Sequence, residues 1–305
     1  MSLVPYMKIA RPDHWFKNIF MLPGIIYGLM QANSFDQAII VKILFGIIST
    51  CFIASSNYVI NEWLDAEFDK FHPVKKNRPA ITVGLKAKYV YMEYFLLSSL
   101  GLSISFIIGM NFFIVSTIFL LMGIIYNVYP IRSKDIAYID VLSESINNPI
   151  RLMLGWFLII NGGGEVLPIS LIIGYWMAGA FLMSIKRFAE FRSIGEKSAL
   201  LYRKSFKYYN EDRLLTSAVF YAMCSTLFMG IFLVKHKLEL IISFPFLCLM
   251  FVWYLSIGLK ENSIVQTPEK LFKTKGFLLY SLFLGVLFII LFFVNMPFLY
   301  TIFMF

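Results

Sequence analysis

The sequence predicts an all-α integral membrane protein: a bundle of nine transmembrane helices making a single domain over residues 1–305. Three observations predict it. The chain is 59% hydrophobic and only 15% charged, whereas a soluble domain is nearer half apolar and a quarter charged. Nine apolar runs reach the roughly 20 residues that a span needs. And 23 of the 27 Lys and Arg residues fall in segments that nine crossings place on one side of a membrane.

The elements follow in chain order. The N-terminal stretch MSLVPYMKIARPDHWFKN carries charge and proline but no short apolar core with a small-residue cleavage site. The first run is therefore expected to remain a span rather than be a cleaved signal. The runs are 15–33, 38–61, 88–109, 111–129, 140–160, 168–187, 214–234, 238–259 and 276–297. Only Met110-Asn111 separates the third from the fourth, which makes those two a tight antiparallel hairpin. Cys51, Cys224 and Cys248 all sit inside apolar runs without paired spacing. They read as small buried hydrophobes, with no disulfide and no thiolate metal site. No soluble domain, low-complexity tract or strong internal repeat is visible. Nor is a pair of interrupted apolar runs, the mark of many transporters.

The basic residues orient the bundle. They cluster before the first run (Lys8, Arg11, Lys17) and in segments 62–88, 130–139, 186–213 and 260–275. The opposite side holds essentially Lys235 and Lys237. The positive-inside rule puts the N-terminus and all five basic segments in the cytoplasm and the C-terminus outside. The formal charge of +9 is then a one-sided field that draws anionic lipids and phosphates to that face.

The second run ends in NEWLDAEFDKFHPVKKNRP, residues 61–79, with four carboxylates, four cations and a histidine in nineteen positions. Asn61, Asp65 and Asp69 are spaced by four, so a helix stacks them on one stripe. Two carboxylates and an amide oxygen are hard ligands of the kind Mg²⁺ accepts, with water and substrate phosphates completing its shell. Glu62 and Glu67 point elsewhere, although Glu62 is close enough to help. Pro73 ends the helix. Lys75, Lys76 and Arg78 then supply cations for phosphate beside the metal. The bland alternative is a solvated charged helix end.

What weighs against that alternative is polarity at the other cytoplasmic ends. YNVYPIRSKDIAYIDV follows the fourth run and holds Tyr126, Lys134 and Asp140. SIKRFAEF ends the sixth and holds Lys186, Arg187 and Glu190. Arg151 lies inside the fifth run, where a cation is costly and faces a polar cavity or a partner. A structural ion pair with Glu144 is its alternative role. His72 could touch a phosphate or cap the helix end. Lys17 and Asn18 could reach the same pocket or anchor anionic lipid. Together these residues imply a cytoplasm-facing pocket for phosphorylated substrates. Aromatic residues, 18% of the chain, would line a sideways exit for a lipid tail or simply pack.

At these motifs the chain resembles a known family. Asn61-x-x-x-Asp65-x-x-x-Asp69 is similar to the first Asp-rich motif of the UbiA superfamily of intramembrane prenyltransferases. RPDHWFKNIF (11–20) and NEWLDAEFDKFHPVKKNRPAITVG (61–84) resemble its decaprenyl-phosphate phosphoribosyltransferase branch. That branch reads R-P-x-x-W-x-K-N and then N-D-x-x-D-x-x-x-D-x-x-H-P-x-K-x-x-R-P. Lys134, Arg151 and KRFAE (186–190) also match its pattern, and the resemblance runs from about residue 11 to 210. One departure is Glu62, where the branch has Asp, which puts a direct metal ligand there in question. A second sets the chain apart from the aromatic prenyltransferases. They carry another Asp-rich motif after the sixth span, where this chain has the mainly basic IKRFAEFRS.

The resemblance implies a UbiA-like fold, a Mg²⁺ cofactor and a bacterial plasma (inner) membrane location with the active site facing the cytoplasm. It also implies an activity: transfer of 5-phosphoribose from 5-phosphoribosyl diphosphate (PRPP) to a polyprenyl phosphate. A diphosphate calls for metal, whereas a lipid monophosphate can be held by Lys and Arg alone. Asn61, Asp65 and Asp69 would hold the metal. Lys76, Arg78 and Lys134 would neutralise donor phosphates, and Arg151, Lys186 and Arg187 would steer the acceptor phosphate. The implied partners are PRPP, polyprenyl phosphate and membrane lipids, with no nucleic acid and a homo-oligomer allowed. Two alternatives stand beside this reading: transfer of a prenyl group from a prenyl diphosphate to an aromatic or glycerol-phosphate acceptor, and a lipid transporter without chemistry.

Overall fold

The structure, a computed structural model, describes residues 3–32, 37–160, 166–261, 263–266, 271 and 274–303, apart from the side chains at 196 and 197. Asn33 at the edge of the first run, and Lys270 and Lys273 of the last basic segment, lie outside the described residues. Every regular element among the described residues is helical.

The chain divides into two compact units. One comprises Met1–Leu167 with Ile194–Tyr209; the other comprises Pro168–Ser193 with Asn210–Phe305. The first unit contains α1 (Val4–Ile9), a 3-10 segment (Pro12–Met21), α2 (Leu22–Gln31), α3 (Ala38–Asp69) and α4 (Pro79–Thr82). It continues with α5 (Ala87–Ile108), α6 (Met110–Asn127), α7 (Ile139–Ser145) and α8 (Asn147–Ile159). The second unit is built mainly on α9 (Ile169–Ile194). The short α10 (Glu196–Tyr202) then returns to the first unit, and α11 (Glu211–His236), α12 (Phe244–Gly258), α13 (Lys275–Phe293) and α14 (Pro297–Phe303) complete the second.

Among the described residues, seven of the nine apolar runs form helical stretches long and apolar enough to cross a membrane, the eighth run as a 3-10 segment, Leu238–Ser243, continued by α12. The chain is a multi-pass helical membrane protein. The other two, the first and the fifth, are broken. The first is a 3-10 segment followed by the ten-residue α2, with Pro23 in its first turn. The fifth is the seven-residue α7 followed by α8. The expectation that no pair of apolar runs is interrupted is thus corrected. Residue-by-residue hydropathy does not register a change from α to 3-10 hydrogen bonding, because the side chains stay apolar through it.

The two broken runs pack against each other through glycine. A Cβ on Gly24 would lie 2.0 Å from the carbonyl oxygen of Leu152, and one on Gly155 would lie 2.1 Å from that of Met21. A Cβ on Gly28, one turn beyond Gly24, would lie 2.9 Å from the Ile159 side chain. Small residues at this spacing let two helix backbones touch, the usual basis of close helix pairing in membranes. Around the crossing Met21, Ile25, Ile53, Ala54, Phe119, Ile150 and Leu154 form a buried apolar core.

α3 is the axis of the first unit. It packs on α5, α6 and α8. At about 1.5 Å per residue its 32 residues extend about 48 Å, well beyond the roughly 30 Å of a hydrocarbon core. The excess is its polar C-terminal end, Asn61–Asp69. The turn between the third and fourth runs falls at Gly109 rather than at Met110-Asn111. Gly109 has φ 152°, a backbone that L side chains rarely adopt.

Candidate functional site

The end of α3, the 128–138 loop and the 202–204 segment surround one small cleft. Asp65, Phe68 and Asp69 line it from α3; Arg132, Lys134 and Asp135 from the loop; Tyr202, Arg203 and Lys204 from the third segment. All nine belong to the first unit.

Asp65 is the hub. Its Oδ1 takes Arg132 Nη2 at 2.9 Å and also the Lys134 ammonium. Its Oδ2 accepts from Asn61 Nδ2 at 3.2 Å. Asn61 Nδ2 also donates to Asn127 Oδ1 at 2.6 Å, the oxygen that takes Lys134 Nζ at 2.7 Å. Asn127 Nδ2 in turn donates to the Gly123 carbonyl at 2.8 Å. This chain fixes every amide orientation, since reversing Asn127 would place its nitrogen against the ammonium. Asn61 therefore presents its nitrogen to Asp65. That makes it an orienting donor to Asp65, beside the oxygen-ligand role expected of it from the sequence.

Lys134 is buried. Burial pushes its pKa down to about 8, with Asp65 opposing that shift and Arg132 adding to it. Arg132 has a left-handed backbone, φ 30° and ψ 61°, and its guanidinium lies 5.1 Å from the Phe68 ring centroid and 5.0 Å from that of Tyr129. Lys204 Nζ lies over the same two rings and bonds Tyr129 Oη at 2.8 Å. That hydrogen bond leads the causes that raise the Lys204 pKa. Asp69 pairs with Arg78, and its other oxygen has no hydrogen-bond partner among the described residues.

The donor set fits Mg²⁺ in a particular way. No group of three or more His, Cys, Asp or Glu side chains that could hold a metal occurs among the described residues, so an all-protein cage is not what is built. Asp65 and Asp69 instead offer two carboxylates one helical turn apart, flanked by four cations. Mg²⁺ characteristically binds one or two carboxylates together with substrate phosphates.

The other residues singled out from sequence are placed as follows. His72 caps the turn after α3: its Nδ1 accepts from the amides of Val74 at 3.1 Å and Lys75 at 3.2 Å. Lys76 is exposed and lies outside the cleft lining. Tyr126 Oη donates to Glu144 Oε2 at 2.7 Å and accepts from Arg203 at 3.4 Å. Asp140 is fully buried behind the cleft. Arg151 is buried in the core; its Nε donates to Asn18 Oδ1 at 2.9 Å and its guanidinium stacks 4.7 Å from the Phe119 ring. Asn18 Nδ2 reaches Cys51 Sγ at 3.1 Å. Lys17 Nζ sits 5.6 Å over the Tyr58 ring. Lys186, Arg187 and Glu190 belong to the second unit, where buried Arg187 bonds Glu190 at 2.9 Å.

Arg132, Tyr202, Arg203 and Lys204 of the cleft were not among the site residues read from sequence. The one signal that pointed to them was the density of cations in 130–139 and 186–213. Glu62, the departure from the family pattern, is held by Arg11. Both Nε (3.0 Å) and Nη2 (2.7 Å) reach its Oε2, while Oε1 is buried without a hydrogen-bond partner. Arg11→Gln would leave that carboxylate, 2% exposed, without its cation. The expected loss is about 3 kcal/mol, read as a fall in thermal unfolding temperature in detergent. Arg11→Gln with Glu62→Gln should recover most of it.

Fold and cleft define a class: a multi-pass helical membrane protein with a cleft of carboxylates and cations at the end of α3. The model of the UbiA prenyltransferase family matches residues 19–274, and the chain belongs to that family, a family of transferases. The decaprenyl-phosphate phosphoribosyltransferase of Mycolicibacterium smegmatis is 27% identical over 220 residues, 68% of this chain and 63% of that protein. Nodulation protein NoeC of Azorhizobium caulinodans is 26% identical over 200 residues, 65% of this chain and 61% of that protein. The match thus spans less than two thirds of either curated relative. Among solved structures, a UbiA homologue from Archaeoglobus fulgidus bound to GPP and Mg²⁺ aligns with a TM-score of 0.70 at 18% identity. That alignment covers 94% of this chain and 99% of the other.

Proposed function

We propose that the protein transfers 5-phosphoribose from PRPP to a polyprenyl phosphate, releasing diphosphate, at the cytoplasmic face of a bacterial plasma membrane. The observation that carries this reading is the composition of the cleft. Four cations, Arg132, Lys134, Arg203 and Lys204, converge with the carboxylates of Asp65 and Asp69. A small, wholly polar, phosphate-rich donor matches such a lining. The similarity to decaprenyl-phosphate phosphoribosyltransferases supports the same choice.

In this reading Asp65 and Asp69 would hold Mg²⁺, which supplies Lewis-acid neutralisation of the leaving diphosphate. Asn61 and Asn127 orient Asp65 and Lys134 towards the cleft. Arg132 and Lys134 bind diphosphate oxygens and stabilise the negative charge that grows as the C1–O bond of ribose breaks. A phosphate oxygen of the lipid attacks C1. No general base is needed, because the acceptor is already anionic at neutral pH. Arg151, held by Asn18, is the proposed holder of that acceptor phosphate.

The test uses purified protein in detergent with Mg²⁺, radiolabelled PRPP and a polyprenyl phosphate. Label is expected in the organic phase and should disappear with EDTA. If PRPP gives no transfer while a prenyl diphosphate is consumed in a Mg²⁺-dependent reaction, the donor is prenyl and the proposal fails.

A further inference from the structure

We infer that Asp140 is a positioning residue for the leaving diphosphate: it fastens the 203–209 segment so that Arg203 faces the cleft. The inference rests on the reading of the cleft as a diphosphate site, which phosphoribosyl and prenyl donors share.

Three donors from seven consecutive residues meet this one carboxylate. Tyr209 Oη donates to Asp140 Oδ1 at 2.7 Å, Ser205 Oγ to Oδ2 at 3.2 Å and Arg203 Nη1 to Oδ2 at 3.4 Å. Asp140 is 0% exposed and does not line the cleft, so it has no reach to a ligand there. Tyr209 links it further. Its hydroxyl accepts from the Tyr138 amide, and the two rings pack edge to face at 5.3 Å. Tyr138 has φ 66°, a conformation unfavourable for a side-chain-bearing residue. Such strain persists where surrounding contacts over-determine it, and here the contacts are those that join the 130–140 loop to the 203–209 segment.

The geometry explains why the anchor is a carboxylate. Residues 203–209 are a short 3-10 piece, Lys204–Tyr208, entered through extended Arg203. So short a helix has little stability of its own, and its register must come from tertiary bonds. Asp140 takes the Tyr209 hydroxyl at 2.7 Å, the Ser205 hydroxyl at 3.2 Å and Arg203 at the limit of hydrogen bonding. The hydroxyl bonds tie the segment at both ends of its 3-10 turn. The long one leaves the guanidinium able to turn its fork to a phosphate, its preferred bidentate partner.

The experiment measures Mg²⁺-dependent binding of inorganic diphosphate to the full chain in detergent by calorimetry. Its variants are Arg203→Gln, Asp140→Asn and the double. Arg203→Gln should weaken binding about tenfold, the loss of one charge-assisted hydrogen bond. Asp140→Asn should weaken it severalfold, and the double should be no weaker than Arg203→Gln, because Asp140 acts through Arg203. Additive losses would mean a general structural role and overturn the inference, as would unchanged affinity in Asp140→Asn or no diphosphate binding by the wild type. If Asp140→Asn does not fold, Ser205→Ala with Tyr209→Phe removes the same two anchors and must give the same non-additive pattern. Wild-type protein that binds diphosphate in this pattern yet transfers no phosphoribose would refute the proposed donor and leave the role of Asp140 standing.

Discussion

Asp65→Asn is expected to lower transfer by at least about 100-fold, the scale on which losing one electrostatic partner of a developing charge is felt. Two losses combine. One of the two carboxylates available to Mg²⁺ goes, and the shared counter-ion of Arg132 and Lys134 goes with it. Stripping the partner from a buried ion pair costs about 3–5 kcal/mol. The lower end applies here, because Asp65 keeps 15% exposure and Asn127 still receives Lys134. The variant should therefore also unfold at a lower temperature. Activity and stability separate by adding diphosphate with Mg²⁺. In wild-type protein the ligand should raise the unfolding temperature by linkage; in Asp65→Asn that increment should largely vanish, while the folded fraction at working temperature stays high. A transporter whose carboxylates are purely structural would show the reverse, a stability loss with the ligand increment intact.

The parts of this site that were legible in the sequence are those a single helix encodes. Spacing by four puts Asn61, Asp65 and Asp69 on one stripe whatever else surrounds α3, and Pro73 marks where the helix must stop. Two orphan carboxylates also demand cations, and the sequence offered many. Which cations arrive is a matter of tertiary path. Arg132 reaches Asp65 because its own backbone is left-handed, and Arg203 reaches the cleft because residues 194–209 return to the first unit after α9. Pro130 and Gly195 mark these two turns in the sequence, but neither says which side chain is delivered to the cleft. The orientation of Asn61 likewise follows from Asn127, 66 residues away. The apolar runs were legible as lipid-compatible segments. The breaks in the first and fifth were not, since hydropathy weighs side chains and the breaks, before Leu22 and at Ile146, are backbone events. That pairing of broken runs removes one argument once available against a transporter, and membership of the UbiA family replaces it.

Gly155→Leu is expected to abolish accumulation of folded protein, and Gly24→Leu to do the same by the reciprocal contact. At each position a Cβ would lie about 2 Å from a backbone carbonyl oxygen of the facing helix. Neither oxygen can move without displacing α2 or α8 as a whole. Overpacking against side chains costs about 1–3 kcal/mol. A clash between rigid backbones belongs at or above the top of that range, since no rotamer change relieves it. Even Gly155→Ala should lower the unfolding temperature sharply, because the first added carbon already meets Met21. Gly230 supplies the control. It lies within α11 with nothing within 4 Å of an added Cβ, so Gly230→Ala should be neutral or slightly stabilising through helix propensity. Size-exclusion profiles and thermal unfolding in detergent read all four variants. The crossing also carries the site's frame. The 3-10 segment that holds Asn18 and α8 that holds Arg151 meet there, so a separation of the two helices would break the 2.9 Å Arg151–Asn18 bond. A Gly155→Ala protein that folds as well as wild type, with that bond intact, would show that the backbones are not in contact and would refute this account of the crossing.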